Sequence, residues 1–556
     1  MSIPSIVFTP FTNYFEALDH ASRRFGIEPR YWDIWGSEHA TQPEVQRAIL
    51  ESLGVNAGSL EELNEALEDQ LWNEWNRLSP PVLVVSAGEA EPRLAFRIPG
   101  YLEHRTLKVE LRWESGWQGT AEHEIASLPT LATAELRGQW FVEKEFPLTV
   151  SPLGYHEIRL GVGSTDEPRL ESRTRLIVAP DRAYLPPALE NGGRRAGLYI
   201  SLYGIRSRRS WGCGDFSDLE RLTSWVRRQV GGSFIALNPL HAIHNRQPFN
   251  TSPYLPNCIF YQNHIYLDID RIDDVRHSAW AARLRQSKPV RDEIQALNET
   301  EFVEYERVAR LKRAFLRLGF RRFLQDYRAG TPHAREFREF AREEGALLHR
   351  YAVYCALDEW LHRRDRNVWI WPDWPAEYQD PDSAAAKEFA HRHWRSVLFH
   401  KYVQWQIDRQ LAEAQEAARR EGLSIGLFHD LALATDRCGA DLWAHRDFFV
   451  AGCRVGAPPD DFSPRGQDWS FPPPASDRHW EDAYQLFRAS IRRSCRHGGA
   501  LRIDHVMRFF RLFWIPAGKE AAEGAYVRDR YEDLVRILAL ESVRNKVVVI
   551  GEDLGT

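Results

Sequence analysis

Two carboxylates stand where a nucleophile and a proton donor could work as a pair. Asp504 closes the apolar run Leu501-Arg502-Ile503, and Glu552 follows Val547-Val548-Val549-Ile550 and Gly551. Each run reads as a β-strand, and in a parallel barrel catalytic side chains project from the C-terminal strand ends. Neighbouring strands lie ~4.8 Å apart, which brings two such carboxyl groups within the ~5–5.5 Å that retaining glycosidases use. One would attack an anomeric carbon while the other protonates the leaving oxygen. Arg502 and Asp504 alternate along the strand and so point the same way. A cation there holds Asp504 ionised, as a nucleophile requires. A third polar pair, His429-Asp430, follows Ser424-Ile425-Gly426-Leu427-Phe428. Blander readings stand beside these. An aspartate at a strand end also serves as a helix cap or ion-pair partner, and Gly551-Glu552-Asp553 also makes a plain turn. His429 and His505 could suggest a metal, but no third ligand has suitable spacing, so hydrogen-bonding roles and no metal are expected. The residues alone stop at a parallel α/β enzyme with paired carboxylates.

The elements that must position these groups come late in the chain. Short apolar strands are expected at Leu198 to Leu202, Phe234 to Leu237, Leu423 to Phe428, Leu501 to Val506 and Val547 to Ile550. Helical periodicity lies between them, as in Phe216 to Val230 and Trp480 to Cys495. Alternating strand and helix implies a parallel sheet, open or closed into a barrel. Mostly charged helices over about 271–405 form an insertion between the second and third strands. Before this region, residues 79–182 alternate apolar and polar (Thr106 to Trp113, His156 to Val162) between turn glycines, the pattern of a small β-sandwich. Residues 1–78 read as short helices: Ala17, Leu18, Ala21 and Phe25 keep a helical period, and Leu60 to Trp75 forms another helix. Thr41-Gln42-Pro43-Glu44 opens the one between them as an N-cap with an early proline. The division is therefore 1–78 helical, 79–182 a sandwich that could bind carbohydrate, and 183–556 the catalytic barrel.

The chain has 556 residues, 43% hydrophobic and 27% charged, with 12% aromatic and 20 Trp, an ordinary folded composition. A net charge of −6 recruits neither nucleic acid nor an anionic membrane. The apolar runs fall far short of the ~20 residues a spanning helix needs. No secretory signal is visible over Met1 to Asn13, and the six cysteines have no metal-finger spacing, so reduced thiols in a cytoplasmic protein are expected.

Several motifs resemble those of the 4-α-glucanotransferases (amylomaltases), family 77 of the glycoside hydrolases. They are Ala500-Leu-Arg-Ile-Asp504-His-Val-Met with Phe513-Trp-Ile-Pro516, and Leu540-Glu-Ser542 running on to Val549-Ile-Gly-Glu552-Asp-Leu-Gly555. A third is Gly456-Ala-Pro-Pro-Asp-Asp-Phe462-Ser-Pro-Arg-Gly-Gln467-Asp-Trp469. Ser252-Pro-Tyr254, Gly212-Cys-Gly-Asp215-Phe, His429-Asp430-Leu-Ala and Ala440-Asp-Leu-Trp443 also fit, and Gly26 to Gly36 resembles an extended bacterial branch. The resemblance implies a (β/α)8-type barrel, with Asp504 as nucleophile and Glu552 as general acid/base. It further implies that Arg502, Asp430, Ser252 and Tyr254 contact the donor glucose, and that Phe462 and Trp469 line the acceptor side. The aromatic residues have packing as their alternative role. Ser470 stands where the family has a glycine, so a different loop conformation is expected there. No cofactor is implied, and the partners are maltose, maltodextrins and other α-1,4-glucans.

Only five barrel strands are countable, and the last ends at Ile550 in a chain that ends at Thr556. A closed eight-stranded barrel needs further βα units of about 30 residues each, and no candidate for the family's third carboxylate follows Glu552. The expectation is thus an incomplete barrel with little transferase activity of its own. Competing expectations are an α-amylase-like hydrolase and a non-catalytic maltodextrin-binding fragment.

Overall fold

The computed structural model describes residues 3–149, 151–163, 170–249 and 251–554. Among these, five parallel strands form one sheet in chain order: Leu198–Ile200, Phe234–Leu237, Gly426–Leu431, Ala500–Ile503 and Val548–Gly551. Neighbouring parallel strands joined by helical crossovers are the winding of a (β/α)8-type barrel. Leu427, Leu501 and Ile503 are fully buried in it. The first crossover helix, Phe216–Trp225, starts on Asp215, whose carboxylate accepts the N–H groups of Ser217 and Asp218. Arg209 grips the same carboxylate through two 2.7 Å bonds. The Gly212 to Asp215 motif therefore builds scaffold.

Several boundaries differ from expectation: the first strand ends at Ile200 and the fourth, expected over Leu501 to Val506, ends at Ile503. The third strand starts at Gly426 and runs to Leu431. Gly426 has a φ of +87°, and a Cβ there would lie 2.6 Å from Gln415 Oε1, so extended pairing begins only after this left-handed residue. His429 and Asp430 consequently lie inside the strand and not beyond it. The expected helix over 480–495 is two helices, Ser476–Glu481 and Gln485–Cys495. Ala483 and Tyr484 break it with φ near +50°, which buries the Tyr484 ring and lets its hydroxyl donate to Asp533 at 2.7 Å. The inserted helices extend past 405, because Trp394–Arg420 is also the crossover back to the third strand. Its buried Gln404, Gln410 and Gln415 bond the backbone of Gln262, Asp268 and Leu427.

Near the N-terminus the helices are Tyr14–Arg24, Pro43–Ser52 and Leu60–Trp75. The expected cap at Thr41 is absent. Gln42 holds the cap position without a side-chain bond to the helix, and the Thr41 hydroxyl donates to the Glu28 carbonyl instead. Residues 1–78 are also not all helical. Ser5–Val7 joins the sandwich beside Thr130–Leu136, and Arg30–Trp32 pairs with Glu38–Ala40 as a hairpin. The sandwich packs a four-stranded against a five-stranded sheet over Leu94, Phe96, Ile98, Leu107 and Ile158. Val82, Tyr155 and Ile177 of the five-stranded sheet meet the barrel helix Tyr531–Asn545. There the Tyr155 hydroxyl donates to buried Glu541 at 2.6 Å. Glu541, part of the second signature, thus fastens sandwich to barrel, while Ser542 beside it accepts the Tyr184 N–H of the segment following the sandwich at 2.9 Å.

One more sheet bears on the site. Gln467–Asp468, Cys453–Ala457, Arg511–Pro516 and Ala525–Arg528 pair antiparallel above the C-terminal ends of the barrel strands. Among the described residues no helix is long and apolar enough to cross a membrane.

Candidate active site

At the C-terminal ends of the third, fourth and fifth strands, register places Arg502 beside Asp430 on one neighbour and Ile550 on the other. Arg502 Nη1 donates to both oxygens of Asp430, at 2.8 and 2.9 Å. Its Nη2 lies 2.9 Å from Asp504 Oδ1 and 3.9 Å from Glu552 Oε2. A single guanidinium nitrogen therefore faces both of the carboxylates paired by the strand pattern.

Backbone bonds hold the two carboxylates. Asp504 follows the last strand residue, its N–H bonded to the Leu431 carbonyl at 3.1 Å. The chain turns sharply at His505, with φ +48°, and the His505 N–H donates to Glu552 Oε2 at 2.7 Å. The other Glu552 oxygen accepts the Leu554 N–H at 2.9 Å. Neither carboxylate is sealed off: their side chains are 21% and 17% exposed, open to a cleft of about 930 Å³.

Asp430 is almost fully buried, and burial pushes its carboxyl up to about 6. Arg502 opposes this, so the pair is ionised at neutral pH. The Tyr254 hydroxyl donates to Asp430 at 2.9 Å and stands 3.3 Å from that of Tyr199. Burial, with the neighbouring Tyr199 and Asp430, raises the Tyr254 pKa, so this phenol stays neutral. Ser252 accepts the Tyr254 N–H and lines the cleft. Asp504, Glu552, Arg502, Asp430, Tyr254 and Ser252 are thus one cluster.

Of the two loop aromatics, Trp469 lines the cleft, edge-on to His505 at 5.3 Å and bonded through Nε1 to Gln467. Phe462 stands at the outer rim, 96% exposed. Ser470 keeps the left-handed conformation expected of a glycine, at φ +62°, with its N–H bonded to Asp468. That bond holds Ser470 in the left-handed region, which a glycine would occupy without strain.

The two histidines play backbone parts. Nε2 of buried His429 bonds the His497 carbonyl at 2.9 Å, and burial lowers this imidazole to about 4. Among the described residues no three His, Cys, Asp or Glu side chains gather as metal ligands, and all six cysteines are free. Asp441 accepts from Ile259 N–H and Thr435, and Trp443 is buried with its indole on Tyr378, so that motif is structural.

Two residues near the cluster escaped the sequence pattern. Arg508 lies behind Asp504 and donates to the Ala432 carbonyl at 3.1 Å. Burial pushes it down only to about 10, so it adds a second positive charge facing Asp504. Tyr199, on the first strand, props Tyr254. Arg508 could have been found as the cation four residues after Asp504. Nothing local pointed to Tyr199.

With this geometry in place, likenesses to known proteins are specific. A family model described as 4-alpha-glucanotransferase matches residues 200–556, and one described as the MalQ N-terminal beta sandwich domain matches 78–180. A 4-alpha-glucanotransferase of Mycobacterium tuberculosis is 36% identical over 550 residues, covering 97% of this chain and 72% of the relative. One of Haemophilus influenzae is 33% identical, over 74% of this chain and 58% of its own. The crystal structure of amylomaltase from Corynebacterium glutamicum superposes with a TM-score of 0.81 at 29% identity, covering 98% and 72% of the two chains.

Proposed function

Because the chain belongs to the 4-alpha-glucanotransferases of glycoside hydrolase family 77, we propose that the carboxylates around Arg502 transfer α-1,4-glucan segments by double displacement. Asp504 attacks the anomeric carbon of an α-1,4-linked glucose, and Glu552 gives its proton to the departing 4-oxygen. The C–O bond to the leaving glucan breaks as the bond to Asp504 forms, leaving a β-glucosyl ester. Glu552, now a carboxylate, takes the proton from the 4-hydroxyl of an incoming glucan. That oxygen displaces Asp504 and restores the α-configuration.

The surrounding groups divide the remaining work. Arg502 offers Asp504 a positive partner at 2.9 Å, and Asp430 with Tyr254 prevents Arg502 from swinging away. Asp430 and Tyr254 also hold acceptor and donor groups that face a sugar bound in the donor position. Trp469 offers the acceptor an apolar face and reduces access of water to the ester. The substrates are maltose, maltodextrins and longer α-1,4-glucans of starch or glycogen type. The compartment is the cytoplasm, a reading supported by six free thiols.

The observation that carries this reading is the Arg502 nitrogen shared between Asp504 and Glu552. Incubation with maltotriose tests it. A ladder of glucose plus longer maltodextrins, lost in Asp504→Asn, is the expected result. Reducing sugar without elongation would replace transfer by hydrolysis.

A further inference from the structure

The hairpin Arg30–Trp32/Glu38–Ala40 belongs to the N-terminal region, yet its tip stands at the mouth of the catalytic cleft. Ile34 lines that cleft together with Phe462, Asp504 and Glu552. Next to it, Trp35 Nε1 donates to Asp461 Oδ1 at 2.9 Å, tying the tip to the loop that carries Phe462. All three apolar side chains face water: Ile34 is 49%, Trp35 54% and Phe462 96% exposed.

Their exposure is held in place by a rigid mount. Within the turn, Asp33 accepts the N–H groups of Trp35 and Ser37 and bonds His39 at 2.7 Å. Below it, buried Tyr31 packs edge-on against Phe513 and Tyr526 of the antiparallel sheet. Backbone bonds join Glu28 to Tyr526 and Arg528 to Gly26, and Arg511 pairs with Glu28 at 2.6 Å. A Cβ at Gly26 would sit 2.9 Å from the Arg528 carbonyl, so the chain approaches this sheet as closely as glycine allows. Chain ordered this firmly to expose apolar side chains calls for a ligand.

We infer that the hairpin tip and Phe462 form a remote subsite for the α-1,4-glucan chain, beyond the sugars that touch Trp469. Pyranose rings present C–H faces that pack on aromatic and aliphatic surface while their hydroxyls remain in water, as an exposed rim requires. Continuity with the cleft selects a glucan over other occupants, since a chain leaving the carboxylates past Phe462 meets Ile34 and Trp35 next. The consequence is a length preference set by the N-terminal region. The inference rests on the glucan-transfer reading of the site.

The test uses glucan binding by the full chain carrying Asp504→Asn, which removes turnover. Adding Trp35→Ala is expected to weaken maltoheptaose binding about fivefold or more, with a change of less than about twofold for maltose. Trp35→Phe, which keeps a ring and loses the indole N–H, retains most of the long-chain affinity, and Asp461→Ala separates the tether from the platform. Trp280→Ala, an exposed tryptophan on the helical insertion, leaves both affinities unchanged. Equal loss for maltose and maltoheptaose, or none for either, overturns the remote subsite. Failure of the transfer reading shows separately, as wild-type protein that makes no maltodextrin ladder.

Discussion

On the floor of the cleft, Asp504 and Glu552 are tied to backbone N–H groups and Arg502 is clamped by a buried carboxylate. At the rim, Phe462, Ile34 and Trp35 stand in solvent on loop and hairpin tips, with the Trp35–Asp461 bond tying one tip to the other. The difference follows from what each does. Bond breaking at one carbon tolerates little misplacement, so its carboxylates sit at strand ends where sheet register sets their spacing. A repeating polymer offers the same apolar face every sugar unit, so a rim that binds it needs surface more than register.

Breaking the floor should therefore cost far more than breaking the rim. Asp504→Asn is expected to lower the rate of maltotriose disproportionation by about 10⁴-fold or more, because no nucleophile remains. Product chromatography over days of incubation measures it. Glu552→Gln should cost about 10²–10⁴-fold with maltotriose. With α-glucosyl fluoride, whose leaving group needs no proton, formation of the ester should largely recover. No recovery would show that Glu552 is not the acid.

Asp430 occupies the middle of the scale. Asp430→Asn removes one charge from the Arg502 clamp and should reduce kcat/KM about 10–100-fold, the worth of a hydrogen bond between charged groups. Wild-type kcat/KM should fall as pH drops below about 6, where Asp430 takes up a proton, and the variant should lose that limb. The sign for stability is opposite. A carboxyl pKa raised on folding favours the fold at low pH, and its contribution fades as pH rises through about 6. Protonation of Asp430 thus cannot produce the acid limb by unfolding the protein. Smallest is Trp469→Ala, expected to raise KM for the acceptor about three- to tenfold while kcat changes little. A fall in kcat as large as that of Glu552→Gln would place Trp469 with the catalytic groups and erase the distinction between reacting carboxylates and sugar-lining aromatics.

How much of this was legible before folding depended on whether the signal was local. Asp504 and Glu552 stood out because apolar strand runs end beside them, and Arg502 because alternation puts it on the same face. Asp430 was found by adjacency to a strand, but its place inside that strand depended on Gly426 and the Gln415 side chain, which no local pattern contains. Tyr199 was hidden because its partner Tyr254 lies 55 residues away. The hairpin escaped for a different reason: its three-residue strands are too short for a period of two to register. Gly26 to Gly36 was recognised as a motif, yet only the fold carries it to the catalytic cleft.

The central claim is that Asp504 forms the bond to sugar, and trapping that bond tests it most directly. The protein would be treated with 5-fluoro-α-glucosyl fluoride, digested and mapped by mass spectrometry. The account predicts one added fluoroglucosyl group on the peptide containing Asp504, and none in Asp504→Asn. Labelling of Glu552, Asp430 or any other carboxylate instead, or undiminished labelling in Asp504→Asn, would contradict it.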